Sequence, residues 1–147
     1  MPTNDQRRFT VLMAFRRTGR LMVEELTARL EADGYEGVNP AHHAFFECID
    51  PEGTRLTDLA ARADMTHQSM GELVAAMERR GWAERRPDPR DGRARLICLT
   101  AEGRELTRRG LHHIKEIEAE WQQRWREAGH DGTLRPMLER ALNSAER

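Results

Sequence analysis

Between residues 54 and 100 the apolar residues change their period, and this most constrains what the chain can fold into. Leu56, Leu59, Ala60 and Ala63 recur at the spacing of one helix face. A turn is expected at Asp64-Met65. Met70, Leu73, Val74 and Met77 then form a second helical stripe. Thr66 stands just before that stripe, where its hydroxyl can accept from a free N–H of the first turn. Gly81 is placed to end the helix. Two strand-like runs follow, at 82–86 and 94–99. The segment 87–93 between them is rich in Pro, Asp and Gly and is expected as a turn. Two helices joined by a tight turn, then a hairpin with a basic tip, make the plan of a winged helix-turn-helix. Its second helix would enter a DNA major groove, and its hairpin would lie along the backbone or minor groove.

The flanking segments are helical by pattern. The first helix is expected from about residue 5 to residue 33, with Phe9, Leu12, Phe15, Gly19, Met22, Leu26 and Leu30 on its stripe and Gly34 as its stop. Such a long stripe exceeds what a small winged helix can cover, so a partner subunit is the natural cover. Asn39-Pro40 opens the next helix with a cap and a proline at its first position. There Ala41, Ala44, Phe45, Cys48 and Ile49 would face inward. After Thr100 another long helix should run to about residue 128, with Leu106, Gly110, Ile114, Ile117, Trp121 and Trp125 on one face. A last helix from about residue 133 carries Leu134, Met137, Leu138, Ala141 and Leu142.

Composition narrows the function. The chain has 147 residues, enough for one domain with a real core. A charged fraction of 33% and a mean hydropathy of -0.80 describe a soluble chain with no expected membrane span. Met1 to Asp5 lack an apolar leader, and two cysteines suggest no disulfide framework, so a cytoplasmic location is expected. Net charge is -1, but its distribution matters more than the total. Arg79, Arg80, Arg85, Arg86, Arg90, Arg93 and Arg95 crowd the second motif helix and the wing, while acids such as Glu24, Glu116 and Glu120 lie elsewhere. Lys115 is the only lysine, which reads as a compositional bias rather than as phosphate chemistry. No Gly-rich phosphate loop, HExxH or G-x-S-x-G occurs, so no enzyme is expected.

The residues with DNA-reading chemistry are Thr66, His67, Gln68, Ser69 and Gly71. Gln can pair with adenine through two bonds, Ser and His can reach a base edge or a phosphate, and Gly lets the backbone approach closely. Arg90 and Arg93 flank the wing tip, where a narrow minor groove attracts arginine. Arg55, before the first motif helix, is a weaker phosphate candidate.

At these residues the chain resembles the MarR family of bacterial winged-helix regulators. The resemblance rests on Leu59-Ala60, the helix from Thr66 to Met77, Gly81-Trp82, Arg86, Asp88-Pro89-x-Asp91-Gly92-Arg93 and Leu99-Thr100-x-x-Gly103. It implies a mainly α fold: a winged helix-turn-helix lobe with a small β-hairpin wing (39–100), flanked by N- and C-terminal dimerisation helices (1–38 and 101–147). It implies a homodimeric, sequence-specific regulator of a palindromic double-stranded operator, read here as a repressor released by a small aromatic or lipophilic effector. In the wing, Asp91 would brace Arg93 or Arg86. Gly92 stands where many members carry a second basic residue, so one phosphate contact is expected to be missing. The effector pocket would be lined by Phe15, Arg16, Met22, His43 and Phe46; the plainer reading is that they only pack the core. Some members sense zinc through histidines, and a zinc-responsive regulator of the same fold is the alternative. Here His112-His113 are adjacent and point about 100° apart, where the family pattern has them four apart. His42, His43, His112 and His113 are therefore read as solvated or hydrogen-bonded, with no metal or other cofactor expected. Peroxide-sensing members carry a first-helix cysteine, which this chain lacks. Cys48 reads as core, and Cys98 as partly exposed on the wing strand. A winged helix used for protein contact is the remaining alternative; an acidic or apolar recognition helix would favour it.

Overall fold

In the computed structural model, which describes residues 10–146, six helices and one hairpin follow in the order α1 (Val11–Ala32), α2 (Pro40–Cys48), α3 (Leu56–Arg62), α4 (His67–Arg79), β1 (Ala83–Asp88), β2 (Asp91–Leu99), α5 (Ala101–Glu127) and α6 (Leu134–Ala145). The expected start of the first helix at residue 5, and Phe9 on its stripe, lie outside the described residues. Thr10 caps the visible helix by accepting from the Met13 N–H, and Gly34, at φ 96°, turns the chain out of it.

The core forms where the helical stripes predict it. Phe45, Leu59, Met70, Val74 and Met77 are fully buried, and Ile97, Leu106 and Ile117 nearly so. Met70, Leu73, Val74 and Met77 are the inward face of α4, so burial of that stripe, roughly 1.5–3 kcal/mol per large apolar side chain, fixes which face is left outside. In α2 the expected Ala41 is exposed and His42 is buried instead. Asn39 and His42 form a reciprocal capping box, with the Asn39 N–H donating to His42 Nδ1 at 3.2 Å, which folds the imidazole back over the helix start and edge-on to Trp82.

The turn at Asp64-Met65 is real. Asp64 takes φ 50°, which Asp tolerates better than bulkier residues. Gly81 ends α4 at φ 75°, and the Trp82 N–H returns to the Met77 carbonyl at 3.0 Å.

The wing is longer than its sequence suggests. Strands run to Asp88 and from Asp91, so the expected turn over 87–93 shrinks to Pro89-Arg90. Pro87 sits within β1 opposite Arg95, tolerated because a two-stranded ladder leaves each strand an open edge. The register jumps beyond it to Asp88 opposite Asp91, so residues 92–94 have no partner across the hairpin. Thr54 adds a bridge that no local pattern announces: its N–H and carbonyl pair with Ile97, both at 2.9 Å, tying the hairpin base to the entry of α3. Cys98 is buried rather than partly exposed, with its thiol toward the Glu52 carbonyl.

Helices α1 and α5 pack together and are laced by ion pairs. Arg29 reaches Glu116 and Glu120, and Arg124 reaches Glu25. His113 sits between two carboxylates, with Nε2 2.8 Å from Asp33 Oδ2 and Nδ1 3.1 Å from Glu116 Oε2. A neutral imidazole has one N–H, so only the imidazolium can donate to both. Burial of the ring opposes that charge, but the bonds to Asp33 and Glu116 outweigh it and raise the pKa above the ordinary histidine value. The bond from His113 holds the Asp33 carboxyl below its usual range, and Glu116 is lowered by the same ring. A raised histidine pKa stabilises below about pH 6.5 and is lost as pH climbs through the folded value; the lowered carboxylates stabilise above about pH 4 and are lost on acidification. The stability gap between the native chain and His113→Gln should therefore shrink as pH rises from about 6.5 through the raised folded value. Thermal unfolding of both proteins across that range checks it; a gap that is flat or widens contradicts the doubly donating ring.

Candidate nucleic-acid interface

Burying one face of α4 leaves its first turn outside. Thr66, His67, Gln68 and Ser69 are all exposed, and Gly71 is half-buried against Leu56 of α3, with room for a Cβ. Thr66 is the cap: its Oγ1 accepts from the Ser69 N–H at 3.0 Å and donates to Ser69 Oγ at 2.9 Å. Gln68 donates through Nε2 to Glu72 one turn on, at 3.2 Å, which leaves its amide oxygen free to accept and holds the side chain along the exposed face.

The wing supplies the charge. Arg90 and Arg93 are exposed and make no ion pair among the described residues. Among the other arginines nearby, Arg85 pairs with Glu78 at 3.1 Å, Arg86 with Glu84 and Arg62 with Asp50 at 2.9 Å, while Arg95, exposed on β2, makes no ion pair among the described residues either. The brace of the wing is not the expected one. Asp91 accepts the backbone N–H of Arg93 at 3.1 Å rather than its guanidinium, and Arg86 turns to Glu84 on its own strand. Asp88 is the anchor instead. It is buried, accepts the Arg90 N–H at 2.9 Å, and receives Nε and Nη2 of Arg55 at 2.9 and 2.6 Å. The Arg90 N–H and then the Arg55 guanidinium hold the Asp88 carboxyl below its ordinary value. Arg55, expected on a phosphate, thus ties the wing tip to the start of α3, with Asp91 a further 3.7 Å contact. A signal for Asp88 is present in the sequence, since Asp followed by Pro is the opening pair of a tight turn. Its arginine partner, far away along the chain, leaves no such signal.

A second feature lies behind this surface. A cavity of about 270 Å³ between α1, α2 and α5 is lined by Met22, Leu26, His43, Phe46, Leu106 and Ile114 among others. Three of the five expected pocket residues, Met22, His43 and Phe46, are brought together there. Phe15 is not: it lies seven residues before Met22, two turns up the same face, in an open groove of about 1110 Å³ with Val11, Trp125, Leu134, Leu138 and Leu142. Arg16, about 100° around α1 from Phe15, is exposed and lines neither. Of the histidines, His42 caps α2, His43 meets Thr27 at 3.2 Å, and His113 and His112 face carboxylates on α1 or α5.

Comparison with known proteins gives the same architecture. Residues 36–94 match the model of the MarR family. Transcriptional regulator HosA of Escherichia coli O111:H- is 31% identical over 87 residues, 59% of this chain and 64% of that protein. The chain thus spans just under two thirds of the length of that curated relative. Among solved structures, CouR from Rhodococcus jostii RHA1 bound to p-coumaroyl-CoA superposes with a TM-score of 0.70 at 22% identity, covering 90% of this chain and 88% of that one. The repressor CouR bound to a 23-mer DNA duplex gives 0.69 at 20% identity, over 100% and 99% of the two chains. The S. aureus MepR–DNA complex gives 0.68 at 20% identity, over 95% and 98%. At these identities the structural likeness speaks for the fold.

Proposed function

We propose that this chain, whose residues 36–94 match the model of the MarR family, is a sequence-specific regulator of transcription that binds double-stranded DNA as a homodimer in the cytoplasm. One observation carries this reading: the polar first turn of α4 is exposed, and the tip of the wing that follows holds two arginines without ion pairs among the described residues. That pairs a base-reading element with a backbone-holding one. On this reading Gln68 and Ser69 meet base edges, His67 meets a base or phosphate, and Arg90 and Arg93 hold the backbone. Thr66 caps the helix, while Arg55, Asp88 and Asp91 set the wing. Repression, with release by an effector held in the cavity beside His43, completes the proposal. The DNA-bound and ligand-bound states of the structural neighbours support it.

The dimer is argued from exposed apolar surface. Val11, Leu12, Phe15, Leu111 and Leu142 are each more than half exposed, and α6 buries no residue although one of its faces is apolar. A second copy of these helices would cover them, with an interface above about 2,000 Å². Sedimentation at micromolar concentration should show dimer and no folded monomer; a stable monomer with full helix content contradicts the two-fold arrangement.

Base reading is tested by Gln68→Ala. It should cost roughly 1–3 kcal/mol on a cognate duplex and much less on a scrambled one. Thr66→Ala is the contrast: loss of the cap should cost roughly 1 kcal/mol of stability, with specific binding reduced only as far as the fold is. Competition titrations of both variants, beside helix content by circular dichroism, make the comparison. Equal losses on both duplexes for Gln68→Ala would make Gln68 a backbone contact.

A further inference from the structure

We propose that the cavity between α1, α2 and α5 selects its ligand by charge: it takes an uncharged, mostly apolar ring compound that carries a hydrogen-bond donor, and it excludes carboxylates. The inference rests on the reading above that this cavity receives the effector. Among the described residues the lining is apolar almost throughout; its ionisable side chains are His43 and Glu47, with no arginine or lysine. A carboxylate entering it would shed its hydration with no cation to meet it, and would approach the Glu47 carboxylate as well.

The hydrogen bonds around His43, half-buried in the cavity wall, set what its ring can offer a ligand. The Thr27 hydroxyl donates its proton to the Val23 carbonyl at 2.9 Å. Its oxygen therefore faces His43 Nε2, 3.2 Å away, as an acceptor, and Nε2 must carry the hydrogen. Burial lowers the His43 pKa, so the ring is neutral near pH 7. A neutral ring with its hydrogen on Nε2 presents a lone pair at Nδ1, which has no partner among the described residues. A ligand O–H or N–H answers that lone pair; an anion does not. Phe46 offers the aromatic neighbour, and a volume of about 270 Å³ favours one or two rings over a bulky conjugate.

The test uses the full-length protein and three compounds of matched size: 4-ethylphenol, ethylbenzene and 4-ethylbenzoate. Binding is followed by calorimetry and release from an operator duplex by fluorescence anisotropy, near pH 7, where a phenol is un-ionised. The phenol should bind about tenfold more tightly than ethylbenzene, the worth of one hydrogen bond. The benzoate should bind at least about a hundredfold more weakly than the phenol, because its charge is left unpaired. His43→Leu leaves the Thr27–Val23 bond intact and should erase the preference for phenol over ethylbenzene. Glu47→Arg, at an exposed rim position, should bring the benzoate toward the phenol. Benzoate binding to the native chain as tightly as phenol overturns the charge selection while leaving the cavity as an effector site. A folded chain that binds none of the three and releases no DNA overturns the effector reading itself, and this proposal with it.

Discussion

Replacing Arg90 and Arg93 together with alanine is expected to weaken binding to every duplex, cognate or random, by on the order of a hundredfold or more. On the proposed reading each guanidinium would make a charge-assisted bond to phosphate, and a two-fold dimer would forfeit both from each subunit. Because such bonds release counterions, the slope of log affinity against log salt should flatten by about 0.9 for each phosphate no longer neutralised, hence by roughly 3 to 4 for the dimer. The geometry separates these two from their neighbours. They stand in the turn and in the unpaired stretch 92–94 of the hairpin, whereas Arg95 lies back on the paired strand opposite Pro87, and Arg55, Arg85 and Arg86 already face carboxylates. Arg55→Ala should therefore change the salt slope little, and should instead loosen the wing by leaving Asp88 to the Arg90 N–H alone. Titrations at several salt concentrations distinguish the two classes. A double variant with weaker binding but an unchanged slope would mean that Arg90 and Arg93 shape the wing without touching DNA.

Gly103→Ala should destabilise the fold by about 1–3 kcal/mol or more, the scale of overpacking in a well-filled site. A Cβ built there would lie 1.9 Å from the Trp82 carbonyl oxygen, which is backbone and cannot swing aside. The reason for so close an approach lies in the Leu99-Thr100-x-x-Gly103 run. Thr100 caps α5 by accepting from the Gly103 N–H at 3.0 Å and donates its hydroxyl to the Gly81 carbonyl at 2.5 Å, while its own N–H reaches Trp82 O at 3.1 Å. The end of α4, the start of β1 and the start of α5 are thus pinned at one point. Any shift there would tilt the long helix against the winged-helix lobe. Gly110→Ala is the control. Nothing lies within 4 Å of a Cβ there, so the helix should gain about 0.5–1 kcal/mol from its better helix former, with the cavity made smaller. Urea unfolding of both variants decides; equal, small effects would mean that the α5 start is not the pivot described here.

What can be read from the residues follows from the range of each interaction. The stripe of Met70, Leu73, Val74 and Met77, the Thr66 cap and the Gly81 stop are local, and periodicity and capping chemistry expose them directly. The exposed apolar face of α6 and the outer half of α1 likewise follow from pattern. Interactions that join distant segments are not legible in this way. The Arg55–Asp88 pair spans 33 residues and leaves no local pattern, so the family resemblance alone points to a brace, and it points to Asp91. The Thr54–Ile97 bridge and the His113–Asp33 bond span still more. In α2 the helix and its inward Phe45, Cys48 and Ile49 are legible, but at its start His42 is buried in place of Ala41, because a histidine that caps its own helix carries no apolar signal. The expected pocket merges two places for a simpler reason: seven residues along a helix preserve the face but move the side chain about 10 Å along the axis.

Selection of bound duplexes from a random-sequence pool, followed by sequencing and by measurement of chains per duplex, tests the central claim most directly. The account predicts an enriched inverted repeat whose half-sites are centred about one helical turn apart, roughly 10 base pairs, bound by two chains. Gln68→Ala should blur the preference at one position in each half-site. A pool recovered without enrichment, or a single chain bound per duplex, would contradict it.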